Sequence, residues 1–195
     1  MPNLNKTTRY AYVAALALSV LNLQGCFPVV AAGAGTGVLI AEDRRTSGTY
    51  VEDQGIELKS TNRLDDKFKD GAHINVTSFN RNVLLTGEAP TKAAREEAEG
   101  TVRGVPNVRN IVNEIAVAGN SAYSSRSNDS YLTSKVKVRF VDAGKFQINH
   151  VKVVTENSIV YLLGIVTRKE ADSAVDIAAR TGGVRKVVTV FEYLD

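Results

Sequence analysis

Apolar residues are spaced in three ways along this chain, and each spacing predicts a different element. From Ala11 to Leu23 they form one run of 13 residues, broken only by Ser19 and Asn22. As a helix rising about 1.5 Å per residue, that run spans about 20 Å, short of the roughly 30 Å hydrocarbon core of a bilayer. Strand-like segments recur at Ile74-Asn75-Val76-Thr77, Val83-Leu84-Leu85-Thr86-Gly87, Val151-Lys152-Val153-Val154 and Val160-Tyr161-Leu162-Leu163-Gly164. They pair across tight turns at Asn80-Arg81 and Asn157-Ser158, where Asn tolerates positive φ. Helical spacing occupies about 54–69, 91–103, 129–143 and 168–180, with Thr91 as an N-cap and Gly104 and Gly182-Gly183 as stops. Final strands run from Ile111 to Val117 and from Val187 to Tyr193.

The second half repeats the first. The strand pairs align at an offset of 77 residues, and Ala94 and Ala98 match Ala171 and Val175 at the same offset. After one deletion, Val108-Arg109-Asn110-Ile111-Val112 matches Val184-Arg185-Lys186-Val187-Val188 at an offset of 76. A register kept through strand, turn and helix is a duplicated domain. Each copy reads αββαβ, which predicts an α+β fold with a three-stranded mixed sheet covered by two helices. The first domain takes 53–118, the second 128–195, and the Ser-rich segment 119–127 is the linker. Two separate sheets are expected, not one sheet built from both repeats.

The apolar run at the start reads as a secretory leader. Lys6 and Arg9 precede it, and no acidic residue stands before Cys26. Leu23-Gln24-Gly25-Cys26 follows and resembles the lipobox, in which a small residue precedes an acylated cysteine. The alternative is an unmodified cysteine after an ordinary signal peptide, but this lone cysteine sits where lipidation requires it. Residues 1–25 are therefore read as a lipoprotein signal peptide and 26–52 as the lipidated N-terminus and a flexible tether. Phe27 stands where an Asp would suggest inner-membrane retention in enteric lipoproteins, so the expected place is the outer membrane, facing the periplasm. Gly33-Ala34-Gly35-Thr36-Gly37 lacks the preceding strand and following Lys-Ser/Thr of a phosphate loop and is read as spacer.

Charge narrows the function classes. The leader holds two of the basic residues, so the remainder carries 22 basic and 21 acidic residues, a net of +1 against +3 for the whole chain. That balance does not support nucleic-acid binding. One cysteine allows no disulfide within the chain and no Cys/His metal cluster. The only histidines, His73 and His150, fall at equivalent repeat positions, which favours two solvent-edge residues over a catalytic pair. No nucleophile–base or paired-carboxylate spacing stands out. The chain is read as a binding module, not an enzyme, with no cofactor.

Several motifs point further. Leu-x-Gly closes the second strand of each copy as Leu85-Thr86-Gly87 and Leu162-Leu163-Gly164. Gly-Val precedes the last strand as Gly104-Val105 and Gly183-Val184, followed in the first copy by Val112-Asn113-Glu114-Ile115. With Ser127-Asn128-Asp129-Ser130-Tyr131-Leu132-Thr133-Ser134-Lys135-Val136, Val151 to Asn157, and Asp43-Arg44-Arg45-Thr46, these resemble the BON domain. The whole chain resembles the dual-BON-domain outer-membrane lipoproteins of the DolP type. It departs from them at Tyr131, where relatives often have Trp, at Ser158, where the turn usually has Gly, and at Thr189, where the first copy has Asn113. The resemblance implies a non-enzymatic envelope-integrity protein whose second domain binds anionic phospholipid and which concentrates at the division site.

The residues bear on the lipid reading by themselves. On a helix at about 100° per residue, Leu132, Val136, Phe140 and Ala143 share one face, while Tyr131, Val138 and Val141 lie off it. Lys135, Lys137 and Arg139 add +3 with no acidic residue between Tyr131 and Val141, whereas Asp53 to Asp70 in the first copy sums to −1. The candidate phospholipid contacts are Tyr131, Ser134, Lys135, Val138, Arg139 and Val141. By residues alone, Tyr131 and Val138 could equally pack against the first domain; the resemblance tips the reading to lipid. A competing reading is an adaptor for peptidoglycan-remodelling or division proteins. Direct glycan binding is weaker, because the chain has no Trp.

Overall fold

The computed structural model describes residues 43–119 and 123–195; the apolar run, Cys26 and the glycine-rich spacer lie outside them. Both repeats belong to one unit, Val38–Asp195. The first comprises α1 (Ser47–Phe68), β1 (His73–Phe79), β2 (Asn82–Ala89), α2 (Lys92–Arg103), β3 (Asn110–Asn113) and the short β4 (Ala116–Val117). The second comprises α3 (Tyr123–Ala143), β5 (Val151–Glu156), β6 (Ile159–Val166), α4 (Arg168–Ala179) and β7 (Lys186–Tyr193). Short 3-10 turns precede β1 and β5. In each repeat the hairpin is antiparallel, and the last strand joins the central strand in parallel, after the helical crossover that a parallel pair requires. The sheets are separate, mixed and three-stranded in path, with β4 extending the first beside β2.

α1 and α3 begin earlier than apolar spacing predicts, at Ser47 and Tyr123, inside the segments assigned to tether and linker. The added turns of α1 carry no core stripe, so periodicity could not find them. What starts α1 is Thr46, whose side chain accepts a hydrogen bond from the Thr49 N–H at 3.1 Å. Thr91 caps α2 as expected, and Thr167 with Glu170 forms a capping box on α4. These two caps are 76 residues apart, so the deletion lies at Pro90, before the helix and not after it. The equivalent core positions are then Ala98 with Ala174 and Val102 with Ala178, all fully buried. The same shift pairs Asn107, not Gly104, with Gly183, and both have positive φ.

The hairpin turns have φ near +50 to +63° at both central residues, Asn80-Arg81 and Asn157-Ser158. Arg81 and Ser158 are uncommon there, and each turn is held by a buried aspartate from the repeat's first helix. Asp53 accepts the Asn80 and Arg81 N–H groups at 2.8 and 2.7 Å, and Asp129 accepts those of Asn157 and Ser158 at 2.8 Å each. The Leu-x-Gly motif has an equally concrete cause. A Cβ on Gly87 would stand 2.0 Å from the His73 carbonyl oxygen, and one on Gly164 2.4 Å from that of His150. The last strand differs between copies because Asn113 turns its side chain back to the chain. Its Oδ1 accepts the Ile115 N–H at 3.2 Å and its Nδ2 donates to the Arg95 carbonyl at 3.1 Å, which interrupts the strand before β4. At Thr189 that device is missing and β7 runs unbroken.

Each repeat has its own core between sheet and helices, around Val83, Leu85 and Ile56 in one and Val160, Leu162 and Phe140 in the other. A third core lies between the sheets, built from Phe79, Leu84 and Val112 of the first repeat with Tyr161, Leu163 and Val188 of the second. Burial lifts the Tyr161 hydroxyl to about 12, aided by Glu114 and Glu156. Polar bridges ring this layer: Asn75 to Glu156 at 2.8 Å, Asn157 to Glu88 at 2.9 Å, Asn80 to Glu192 at 2.8 Å and Lys152 to Glu57 at 2.8 Å.

Candidate membrane-contact surface

α3 buries Leu132, Val136 and Phe140 against its own sheet and leaves Tyr131, Val138 and Val141 63, 58 and 62% exposed. Together with exposed Ser134 they fall within about 80° of the helix circumference, forming one ridge. Tyr131 and Val138 therefore do not pack on the first repeat. The duplication supplies an internal control. Asp53 and Asp129 do the same work 76 residues apart, so the ridge positions correspond in α1 to Gly55, Asn62 and Asp65. The fold accepts polar residues or glycine there, and the apolar choice belongs to α3 alone.

The basic residues of α3 are placed less simply. Lys135 Nζ donates to the Gly182 carbonyl at 3.0 Å and lies 5.8 Å from the Tyr131 ring centroid. Arg139 donates to the Arg180 carbonyl and to Thr181 Oγ1. Both head groups thus serve carbonyls just beyond the C-terminus of α4, where cations are favoured. Lys137 is exposed on the side of α3 nearer the first repeat, in a cleft of about 440 Å³ that it shares with Arg45, Tyr50, Phe79 and Lys152.

The N-terminal segment joins the folded body close to this surface. Arg44 makes two hydrogen bonds to the Glu170 carboxylate, at 2.7 and 2.9 Å, and one to the Ile165 carbonyl at 2.8 Å. Glu170 also bonds His150 at 3.1 Å, and the two share a hollow with Val141 at the C-terminal end of α3. Burial works against the Glu170 carboxylate, but Arg44, Thr167 and His150 outweigh it and hold its pKa at about 2. Arg45, beside it, is buried between Asp43 and Asp53 and stacks 4.0 Å from the Phe79 ring centroid. The pair fastens the chain to both repeats, a role that the sequence motif did not disclose.

The two histidines occupy equivalent positions but are not free solvent-edge residues: His73 bonds Glu88 at 3.3 Å and His150 bonds Glu170. Among the described residues no group of three or more His, Cys, Asp or Glu could hold a metal ion. None of the described helices is long and apolar enough to cross a membrane.

Comparison with known families matches the BON domain twice, over residues 52–119 and 128–195. The chain belongs to the BON-domain family. Its two BON domains are the two repeats. A relative from Haemophilus influenzae, the outer membrane lipoprotein DolP, is 38% identical over 175 residues, covering 89% of this chain and 91% of that protein. The 21 kDa hemolysin of Actinobacillus pleuropneumoniae is 36% identical, over 78% of this chain and 79% of its own length. The osmotically-inducible protein Y of Escherichia coli is 28% identical over 72% of each. With both BON domains and nearly full-length similarity to DolP, this is a dual-BON protein of the DolP type.

Proposed function

We propose that this protein is a non-enzymatic, lipid-anchored envelope protein that binds anionic phospholipid through its second BON domain and supports outer-membrane integrity, including at the division site. Its anchor is Cys26 and its place the outer membrane, facing the periplasm, in line with the outer membrane lipoprotein it resembles. The observation that carries the reading is the ridge of Tyr131, Val138 and Val141, exposed on α3 and replaced by Gly55, Asn62 and Asp65 in the duplicate. Tyr suits headgroup depth, and basic residues at an anionic surface contribute on the order of 1 kcal/mol each. Ser134, Lys135 and Arg139 border the ridge. Arg44 is bonded to Glu170 beside one end of the ridge, which supports acyl chains and ridge engaging one bilayer and reinforcing each other.

Flotation of residues 27–195 with vesicles tests this. Binding should require phosphatidylglycerol or another anionic lipid and weaken with salt; no binding to either vesicle type refutes the reading. A second reading, an adaptor for peptidoglycan-remodelling or division proteins, has its own support. Val51 and Leu58 lie one above the other on α1 of the first domain, 69 and 64% exposed.

A further inference from the structure

β7 lies at the edge of its sheet, paired with β6 on one side and with no described strand on the other. Its counterpart in the first repeat presents no such edge. There Asn113 interrupts the strand, leaving β3 of four residues and β4 of two, whereas β7 runs unbroken for eight. The Leu194 N–H donates to the Val166 carbonyl at 3.0 Å, and backbone groups point alternately to the two sides of a strand. Val188, Val190 and Glu192 therefore turn theirs to β6, while Val187, Thr189 and Phe191 present theirs at the free edge. A row of unpaired N–H and C=O groups is a template for another strand, and proteins that keep an edge single shorten, bulge or charge it. β7 is long, pairs with β6 without a bulge, and is apolar along its middle. Val187 and Phe191 are half-buried against the domain's own core, and Val188 and Val190 against the layer between the sheets.

The order of residues says which strand fits. Outwards from Thr189, β7 is complementary to itself in antiparallel orientation. Two copies paired there set Thr189 opposite Thr189, Val188 opposite Val190, Val187 opposite Phe191 and Lys186 opposite Glu192. Thr–Thr, aliphatic–aromatic and opposite-charge pairs are favourable across strands. The backbone agrees, since Val187, Thr189 and Phe191, whose groups point outwards, are the residues that would exchange both hydrogen bonds. Lys186 is exposed, and Glu192, which accepts from Asn80 and Asn82, keeps 33% of its side chain open. The duplicate serves as the control. Centred on Asn113, the same pairing would put Val112 against Glu114 and Asn110 against Ala116, with no ion pair and an acid facing an apolar residue. The fold thus requires neither the charges nor the apolar run of β7.

We infer that β7 is a docking edge for a second copy of this chain, the two strands pairing antiparallel about Thr189 and joining the second-domain sheets of both copies into one. This edge uses no residue of the α3 ridge, so it stands whether or not that ridge binds lipid.

Residues 27–195, which hold the whole folded unit, contain no cysteine, so a single introduced thiol reports the contact. In Thr189→Cys the two thiols meet at the axis, and a short bismaleimide should join the chains in high yield, far above Ser134→Cys on the ridge. In sedimentation equilibrium up to about 1 mM, the parent should pass from monomer to dimer and no further, because a two-fold contact closes on itself. Lys186→Glu sets acid against acid at each end of the pairing and should weaken the dimer about tenfold, more at low salt than at high. Its thermal midpoint as a monomer should stay near the parent's, and Lys186→Arg should keep the dimer. Thr189→Pro removes an N–H that β6 does not use and should abolish association. Should that variant fail to fold, Lys186→Glu and the cross-link still decide. A parent that stays monomeric throughout, a dimer indifferent to Lys186→Glu, or equal cross-linking of the two cysteine variants would each overturn the inference.

Discussion

Gly87 and Gly164 show how a recurring residue acquires a physical reason. Both lie two residues before the end of the central strand, against the carbonyl of the histidine at or just before the start of the first strand, leaving no room for a Cβ. Gly87→Ala and Gly164→Ala should each destabilise the protein by about 2–4 kcal/mol, measurable by urea unfolding; an unchanged midpoint would contradict the contact. The motif itself was legible in the sequence, but its cause was not, because the obstructing oxygen belongs to a residue 14 positions earlier. The aspartates of the hairpin turns were hidden in the same way: nothing local to Asp53 says that its carboxylate serves Asn80 and Arg81. Carboxylates also set the response to pH. Glu170, held near 2 against an ordinary 4.5, contributes stability above that ordinary value which is lost as pH falls through 4.5 towards 2. Discounted for solvent screening, its removal in Glu170→Gln should cost about 1–2 kcal/mol at pH 7. The difference from the parent should shrink to nothing near pH 2 in denaturant titrations. Glu156 works in the opposite sense. Burial raises its pKa, Glu88 and Asp129 add to this, and Asn75 and His73 oppose it, so its contribution is full at low pH and declines as pH rises above 4.5. Glu156→Gln should remove that decline, and a steeper one would refute the assignment.

Among the elements, α3 was the most legible. Its core stripe of Leu132, Val136 and Phe140 follows from helical spacing, and the remaining apolar positions could be named as surplus before their exposure was seen. The sequence could not tell whether that surplus faced the first domain or solvent, because no pattern within one helix encodes what lies beyond it. It also counted Lys135 and Arg139 as free charge, although their head groups turn to the α4–β7 loop. Tyr131→Glu tests the element as a whole. The ring is 63% exposed and supports no core neighbour, so the variant should fold with an unchanged thermal midpoint. Binding to anionic vesicles should fall at least tenfold, because a carboxylate then replaces an interfacial ring. A folded variant that still floats with the parent's affinity would place the lipid site elsewhere.

The whole molecule depends on a layer that the repeat pattern does not reveal. Duplication was readable from register, and it led to two sheets each covered by helices, but the opposite faces were not assigned. The signal was present in Val83-Leu84-Leu85 and Val160-Tyr161-Leu162-Leu163, continuous apolar runs of the kind that mark strands buried on both sides. Leu84, Tyr161 and Leu163 fill the space between the sheets, so the second domain's candidate contact surface is carried on a body that includes the first. Arg44 then ties the beginning of that body to the edge of the same surface. Under the proposed function, attachment has two parts of very different strength. Roughly 17 residues from Cys26 to Asp43 can reach at most about 60 Å when fully extended, ample for a bilayer beside the ridge. Acyl chains contribute about 0.8 kcal/mol per buried CH₂, whereas the ridge and its cations offer only a few kcal/mol that salt weakens. Cys26→Ala should therefore give a protein that fractionates with membranes at low salt and leaves them on mild salt washing. The parent should stay bound through the same wash and be released by detergent. The measurement is fractionation combined with mass analysis of the N-terminal peptide. Firm retention of Cys26→Ala, or acyl groups on another residue, would show that the anchor is not where the sequence puts it.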